Sequence, residues 1–247
     1  MSAAAASFDL RLIETAVAIL PCVVRGPREG AQLLIVPPLF EEMNRTRRLL
    51  AGIGQRLAEA GIGSWLPDLP GTGDSELPGT AMDWELWRES LRALSEHILA
   101  SPSSSFHSFS LRGGTLLADA VPARSHYRLA PVVSGERLLR ELMRARVAAD
   151  QERGTPVTTA ELTERLSRET VELAGYPISP RLAADLRAAR AAESGVPTRT
   201  ADVTGDTADR MFEGPLVWRQ AEPVAADRLA AEIAEDIAQW IAACGTR

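Results

Sequence analysis

The turn Ser110-Leu111-Arg112-Gly113-Gly114 follows a strand-like run of residues. It takes the place of a G-x-S-x-G elbow, in which small residues allow a sharp strand-to-helix turn that exposes the central side chain at the top of a sheet. The central residue here is Arg112, whose guanidinium group is permanently charged and does not act as a nucleophile. Ser110 occupies an outer position that faces away from the attacking geometry. The turn therefore predicts a cation where an attacking hydroxyl would lie.

The imidazole that a serine triad requires is also missing. The histidines of the chain are His97, His107 and His126. His107 lies three positions before Ser110, and strand residues at that separation point to opposite faces of a sheet. The other two are predicted to be surface or packing residues. Asp202 and Asp206 are the only acids placed to serve as a late catalytic acid, and without a histidine they have nothing to orient.

Glu41 and Glu42 follow the strand-like run at 31–38. A cation in the first turn of a helix, such as Arg112, faces the positive end of the helix dipole and needs a carboxylate or a bound anion to compensate it. We therefore expect Arg112 to pair with one of these glutamates across the floor of a pocket. The pair would either contribute to a ligand site or serve only as a structural salt bridge between two loops, and the sequence leaves both interpretations open.

Four further residues are candidates for ligand binding at the same place. The backbone amides of Gly113 and Gly114, next to Arg112, would bind a carboxylate or phosphate group of a ligand. Asn44 is placed to reach the pocket, although a solvated helix end is the favoured explanation. Trp218 is a candidate to line an apolar cleft, although large aromatic residues in such patterns more often belong to the core.

The composition excludes several classes of function. The chain has 247 residues, of which 45% are hydrophobic and 24% charged, as expected for a single domain spanning residues 1–247. It contains no lysine, which excludes Schiff-base and P-loop lysine chemistry. The formal net charge is −6 with acidic and basic residues interspersed, which argues against nucleic-acid binding.

Metal, cofactor and membrane binding are not predicted either. Cys22 and Cys244 lack the paired spacing of a disulfide or a metal site. No run approaches the roughly 18 apolar residues of a membrane-spanning helix, and charged residues interrupt the N-terminal apolar segment. We therefore expect a cytoplasmic protein without a metal, a cofactor or a membrane span.

Short apolar runs alternate with segments of helical periodicity. The runs 16–24 and 31–38, separated by Gly-Pro-Arg-Glu-Gly, are predicted to form an opening hairpin. Further strands are expected at 63–69, 104–110 and 128–135, and helices at 42–60, 82–98, 113–120, 136–149 and in the C-terminal segment. Thr80 and Asp83 are predicted to cap the second helix. This alternation predicts an α/β fold with a mainly parallel sheet and helices on both faces, whose ligands collect at the carboxyl ends of the strands.

The segment 150–197 is more polar and predicts a small helical cap or lid. Thr158 with Glu161 forms one capping pair, and Ser179-Pro180 is a second helix start signal. The following segment, 192–209, is predicted to be a loop with at most one short strand.

Several motifs lie in the same order as in one known family. They are PPLFEEMNRTRR (37–48), LPDLPGTGDS (66–75), the Leu111-Arg112 elbow, PVVSGE (131–136), ELAGYPISP (172–180) and GPLVWRQAEP (214–223). Together they resemble the exosortase A system-associated hydrolase 2 family. The resemblance implies an α/β-hydrolase fold, an arginine-bearing elbow shared with the family, and an association with bacterial exosortase and exopolysaccharide systems. In hydrolases of this fold the catalytic histidine lies near the C-terminus, whereas no histidine follows His126 here.

Two functions remain open. The first is an atypical hydrolase of acyl esters or thioesters, in which Arg112 stabilises developing negative charge, water is the nucleophile and Glu41 or Glu42 is the general base. The second is a catalytically inactive binding or scaffold protein of polysaccharide synthesis, with an anion-binding pocket at Arg112. The enzyme requires an enclosed cavity at which Arg112 and a carboxylate converge, whereas the scaffold predicts a filled pocket or an apolar surface patch.

Overall fold

The computed structural model describes residues 8–100, 105–204, 207–220 and 224–245. Its strands are β1 (Phe8–Glu14), β2 (Ile19–Arg25), β3 (Ala31–Val36), β4 (Gly63–Pro67), β5 (Ser105–Leu111), β6 (His126–Leu129), β7 (Val171–Leu173), β8 (Tyr176–Ile178), β9 (Thr198–Asp202) and β10 (Arg210–Met211). Its α-helices are α1 (Glu41–Glu59), α2 (Trp84–Leu99), α3 (Gly135–Glu152), α4 (Thr159–Arg165), α5 (Pro180–Ala188) and α6 (Asp227–Gly245). Short 3₁₀ helices cover Gly79–Ala81, Arg112–Ala120 and Val217–Arg219. None of the described helices has the length and apolar character needed to cross a membrane.

Eight strands form one sheet in the order β1-β2-β4-β3-β5-β6-β9-β10. Strand β2 is antiparallel to β1 and β4, and every neighbouring pair from β4 to β10 is parallel. Parallel neighbours need long crossover connections, and α1, α2 and α3 lie within these connections. The predicted α/β fold with a mainly parallel sheet is confirmed.

The side chains of β3 show how the two faces of the sheet are covered. Leu33 and Ile35 pack in a buried cluster with α1 and α6, whereas Leu34 and Val36 pack with α2, α3 and α5. Successive strand residues point to opposite faces, so a strand covered on both sides must be apolar throughout. The carboxyl end of β3 is therefore enclosed by helices from both faces, and α1 begins a few residues later.

The predicted opening hairpin is wrong. Strand β4 lies between β2 and β3, so the two runs around Gly-Pro-Arg-Glu-Gly are not paired with each other. The observed hairpin joins β1 to β2, and in its turn the Thr15 hydroxyl donates to the Ala18 carbonyl at 2.7 Å. The turn signal at 26–30 correctly marks a break between strands, but β4, which follows α1 in sequence, occupies the place between them.

Two local predictions also differ from the structure. Asp83 alone caps α2 by accepting from the Leu86 amide at 3.0 Å, whereas Thr80 lies in the preceding 3₁₀ turn. Strand β6 ends at Leu129, earlier than predicted, because Ala130 has a positive φ of 45° that breaks the extended backbone. Among its described residues, the segment 192–209 contains one short strand, β9, as predicted, and this strand lies between β6 and the edge strand β10. Asp206 lies outside the described residues.

The segment 150–197 contains α4, the hairpin β7–β8 and α5. Thr158 and Glu161 form the predicted capping box, and Ser179 caps the helix that begins at Pro180. The apolar side chains of these elements are buried in the same cluster as those of α2 and α3. The segment is thus packed onto the domain, and its role as a lid stays a prediction.

Candidate functional site

The turn after β5 has the backbone geometry of an elbow. Arg112 has a φ of 51°, in the left-handed region that a residue with a side chain rarely adopts, and the 3₁₀ helix Arg112–Ala120 begins at this residue. Two positions later the backbone passes very close to the end of β3. A Cβ atom on Gly114 would lie only 2.4 Å from the Pro37 carbonyl oxygen and 2.5 Å from that of Val36. The small residue is therefore required by the close approach of the two chain segments.

Arg112 is held by two carboxylates and a carbonyl. Its Nε donates to Glu42 Oε1 at 3.0 Å, and its Nη2 lies 2.9 Å from the same oxygen. The Nη2 atom is also 3.6 Å from Glu141 Oε2, and Nη1 donates to the Ala130 carbonyl at 3.5 Å. The guanidinium carbon lies 5.4 Å from the centre of the Trp218 ring, within the range of a cation–π contact. The expected pairing of Arg112 with a glutamate is confirmed, and the partner is Glu42.

Glu42 is only partly satisfied by this pairing. Its side chain is 17% exposed, and Oε2 is buried with no hydrogen-bond partner among the described residues. Burial raises the pKa of the Glu42 carboxyl, while the charge of Arg112 opposes that shift. Glu42 Oε2 is thus a buried acceptor without a donor next to the cavity.

A cavity of about 390 Å³ lies beside this pair and is open to solvent on one side. Its charged lining consists of Glu41, Glu42, Glu141, Arg45, Arg112 and Arg219. Its apolar lining includes Leu39, Leu138, Leu142, Ala145, Ala174 and Trp218. The three carboxylates and the three guanidinium groups have opposite charges that sum to zero. The cavity therefore has one end lined by charged groups with no net charge, and an apolar wall. This size and lining are typical of a small-molecule site.

The sequence-predicted residues occupy different places around the cavity. Glu41 lines it, with Oε1 at 3.6 Å from the Arg45 Nε. Trp218 lines it too, and its carbonyl accepts from Arg45 Nη1 at 3.3 Å, which fixes the Val217–Arg219 turn against α1. Asn44 does not line it; its amide donates to Glu41 Oε2 and to the Tyr176 hydroxyl, both at 3.2 Å.

The two glycines after the elbow are buried and do not line the cavity. A Cβ atom on Gly113 would lie 3.2 Å from a Leu138 methyl carbon and 3.3 Å from Leu39 Cβ, so side chains of the cavity wall cover this residue. Anion binding by the amides of Gly113 and Gly114 stays a prediction.

A smaller cavity of about 150 Å³ lies on another side of Arg112 and includes Asp202 in its lining. The Asp202 carboxylate accepts from the backbone amides of Val203 at 2.7 Å and Thr204 at 3.1 Å. These bonds cap the turn after β9 and occupy one carboxylate oxygen. No histidine lines either cavity, so Asp202 has no imidazole to orient there.

Serine and histidine side chains do meet, but in the interior of the sheet. Ser108 hydrogen-bonds with His126, and His107 Nδ1 lies 2.8 Å from the Ser125 hydroxyl. Both histidines are buried, and burial lowers the pKa of each to about 4, with Arg124 and Arg128 adding to the effect. Ser110 contacts Thr115 instead, at 3.2 Å, in agreement with the expectation that His107 does not reach it.

Sequence reasoning missed Glu141, Arg219 and Ala174. Glu141 lies on α3 in the same helical face as Leu138 and Leu142, so its spacing marks the face but not the charged partner that it meets. Ala174 lies in the β7–β8 turn with a φ of 50°, and it brings the segment 150–197 to the edge of the cavity.

The fold is similar to that of several solved structures. Est1E from Butyrivibrio proteoclasticus, with ferulic acid bound, superposes with a TM-score of 0.65 at 13% identity, covering 98% of this chain and 100% of that one. Epoxide hydrolase VrEH1 from Vigna radiata gives a TM-score of 0.60 at 13% identity, with 95% and 98% covered. Alpha/beta hydrolase GrgF from Penicillium sp. sh18 gives 0.53 at 16% identity, with 79% and 80% covered.

No protein-family model and no curated protein sequence matches the chain. At the identities of the structural matches the likeness establishes the fold and not the activity. The strand order, the elbow after β5 and these superpositions agree with one another. The chain therefore has the α/β-hydrolase fold, with an arginine at the apex of its elbow.

Proposed function

We propose that the protein binds a small acyl compound in the 390 Å³ cavity, on a hydrolase scaffold that has no serine–histidine chemistry. The observation that carries this proposal is the Arg112–Glu42 pair, which borders open space where a serine hydrolase would present its nucleophile. A filled pocket would have favoured a purely structural role for the pair.

The lining indicates the chemical class of the ligand. The apolar wall, with Leu138 and Leu142, suits an acyl chain. The charged end is already balanced, and Glu141 lies near Arg112, so an anionic head group would meet a carboxylate as well as the guanidinium. The free oxygen of Glu42 requires a donor. A neutral head group with an N–H or O–H, such as an amide or a hydroxyl, satisfies these conditions better than the free anion predicted from the sequence.

Calorimetric titration with octanamide and with octanoate tests this preference. We expect the amide to bind more tightly than the anion at pH 7. Ala145→Trp introduces a large side chain into the cavity from α3 and should abolish binding, whereas Ala148→Trp on the same helix, also exposed but outside the lining, should not. Equal binding by both variants would show that the ligand occupies another place.

A hydrolase is the second candidate because Glu42 has the features of a general base. Its pKa is raised, its Oε2 is unpartnered, and Arg112 lies beside it to stabilise negative charge on an acyl oxygen. In this candidate Glu42 takes a proton from water as the water attacks an ester or thioester carbonyl. The acyl C–O or C–S bond then breaks, and Glu42 returns the proton to the oxygen or sulfur of the departing alcohol or thiol. A screen of short p-nitrophenyl esters and thioesters should show turnover that Glu42→Gln abolishes. Equal background rates for the wild type, Glu41→Gln, Glu42→Gln and Arg112→Ala end this candidate while leaving the binding proposal intact.

The cellular setting is part of the proposal and rests on the sequence resemblance. The exosortase A system-associated hydrolase 2 family links such chains to exopolysaccharide systems, which would make proteins of that system its partners in the cytoplasm. The segment 150–197 would serve as a lid, since Ala174 borders the cavity. Co-purification of the tagged protein from a strain that carries such a locus, compared with the same strain lacking the locus, tests the link.

A further inference from the structure

Strand β1 is the long open edge of the sheet. It pairs with β2 on one side, and no strand of the described residues lies on the other. Phe8, Leu10 and Leu12 alternate along it, and their exposed fractions are 60%, 56% and 61%. Because strand residues two apart share a face, these three side chains form one exposed apolar row. Such an edge is a template for pairing with another chain unless something covers it.

The opposite edge of the sheet differs in this respect. Strand β10 has only two residues, Arg210–Met211, which is too short to support a ladder with another chain. Strand β1 has seven residues. Within the described residues, only the β1 edge combines length with an apolar face.

The sequence of β1 is complementary to itself in one antiparallel register. If two copies pair with the two-fold axis at Leu10, Phe8 of each copy lies opposite Leu12 of the other and the two Leu10 residues lie opposite each other. On the other face, Asp9 of each copy then lies opposite Arg11 of the other. Directly opposite residues of an antiparallel pair are in side-chain contact, so both the apolar and the charged pairs are favourable.

Neighbouring registers are unfavourable. An axis at Asp9 places the two aspartates opposite each other, and an axis at Arg11 does the same for the arginines, which like-charge repulsion disfavours. An axis between two residues would place residues that point to opposite faces of the sheet opposite each other, which the alternation of side chains along a strand does not allow. The strand thus specifies a single register.

We propose that two copies of this chain associate through β1, antiparallel about Leu10, so that one sheet continues across both copies. Asp9 and Arg11 already hydrogen-bond to each other within one copy, which holds the two charges on the same face. In the pair, these charges form a four-residue cluster across the axis. The interface is small, so we expect a dimer that forms at protein concentrations of about 100 µM and dissociates on dilution.

Cysteine cross-linking tests the register directly. Leu10→Cys should form a disulfide-linked dimer under mild oxidation, because directly opposite residues have Cα atoms within the range of a disulfide. Phe8→Cys and Leu12→Cys should each fail alone and cross-link when mixed. The native Cys22 and Cys244 are buried, and Leu99→Cys, at an exposed site on α2, measures random collision. Cross-linking of Leu10→Cys no greater than that of Leu99→Cys overturns the proposal.

Charge reversal provides the second measurement. By sedimentation, Asp9→Arg and Arg11→Asp should each weaken the dimer about tenfold, because each places like charges in two symmetric pairs. The double variant restores opposite charges in the same register and should recover the wild-type affinity. A wild-type protein that is monomeric at about 100 µM, or a dimer that neither single reversal weakens, contradicts the proposal.

Discussion

Polar pairs occur at two levels along β5 and its neighbours, and their surroundings differ. Ser108 with His126 and His107 with Ser125 lie within the strands and their approach, buried on all sides. Arg112 with Glu42 lies just past the carboxyl end of β5 and borders a cavity of about 390 Å³. Serine and histidine, the residue types of a hydrolase, are thus paired inside the sheet, where there is no open space. At the edge of the sheet, where a cavity is present, the pair is an arginine and a glutamate. Position along the strand, and not residue type, separates packing from a potential site.

The largest effect is expected from acidification, which should destabilise the protein through the buried residues His107 and His126. The pKa of His107 and that of His126 are near 4 in the folded protein and 6.5 in the unfolded chain, so the unfolded state binds more protons between these values. Stability is therefore complete above about pH 6.5 and falls as the pH decreases towards 4, by about 3 kcal/mol for each histidine. Urea unfolding across this range measures the loss.

The control for acidification is a pair of variants that cannot gain this proton. His107→Gln and His126→Gln should each flatten the curve between pH 6.5 and 4, even if they lower stability at pH 7. If the free energy of unfolding of both variants falls with pH as steeply as that of the wild type, other groups are responsible for the loss.

The next largest loss of stability is expected for Gly114→Ala, which should distort the elbow. The added Cβ would lie 2.4 Å from a backbone carbonyl oxygen, which side-chain movement cannot relieve, so we expect a loss of about 3 kcal/mol. Gly113→Ala is the matched control, because its Cβ would meet only side chains at 3.2 Å and 3.3 Å; about 1 kcal/mol is expected there. Thermal and urea unfolding compare the two, and equal losses would contradict this description of the elbow.

Arg112→Met should destabilise the protein by about 2 kcal/mol at pH 7, because it leaves the Glu42 carboxylate without its cation beside a solvent-accessible cavity. Burial already raises the pKa of Glu42, so the folded state binds more protons than the unfolded state above the ordinary value of 4.5, and its contribution decreases as the pH rises through that region. The variant should make this decrease steeper. Adding Glu42→Gln should recover part of the loss; a double variant with additive losses would show that the two side chains are not coupled.

Ser108→Ala should have the smallest effect and sharpen the contrast between the two levels. Loss of one buried hydrogen bond to His126 should cost about 1 kcal/mol, with ligand binding and any ester hydrolysis unchanged. Calorimetry and the ester screen provide the measurements. If this variant lost ligand binding or ester hydrolysis without losing stability, the functional site would lie in the interior of the sheet and not at the cavity.

Helical periodicity located α1, α2, α3 and α6 because each buries one continuous face. The same approach missed β1, whose alternating apolar residues are exposed and whose charged residues lie on the other face. It also paired β2 with β3, because these strands are adjacent in sequence. Adjacency in sequence does not show that β4, which follows α1, lies between them in the sheet.

The Arg112–Glu42 pair was accessible to sequence reasoning because an uncompensated cation at a helix start demands a carboxylate, and Glu41 and Glu42 follow β3 at the same edge of the sheet. Glu141 and Arg219 were not, because they reach the cavity from α3 and from the Val217–Arg219 turn, whose docking depends on the whole fold. The size of the cavity likewise follows from packing that no local pattern records.

The turn at Ala174 contributes to the shape of the cavity but not to its charge. Ala174 borders the cavity from the β7–β8 hairpin, whereas Arg112 and Glu42 come from the end of β5 and the start of α1. Its φ of 50° favours glycine, asparagine or aspartate at this position. If the proposed binding of an acyl compound holds, a substitution at Ala174 would change the space available to the acyl chain without replacing any of the charged residues of the cavity.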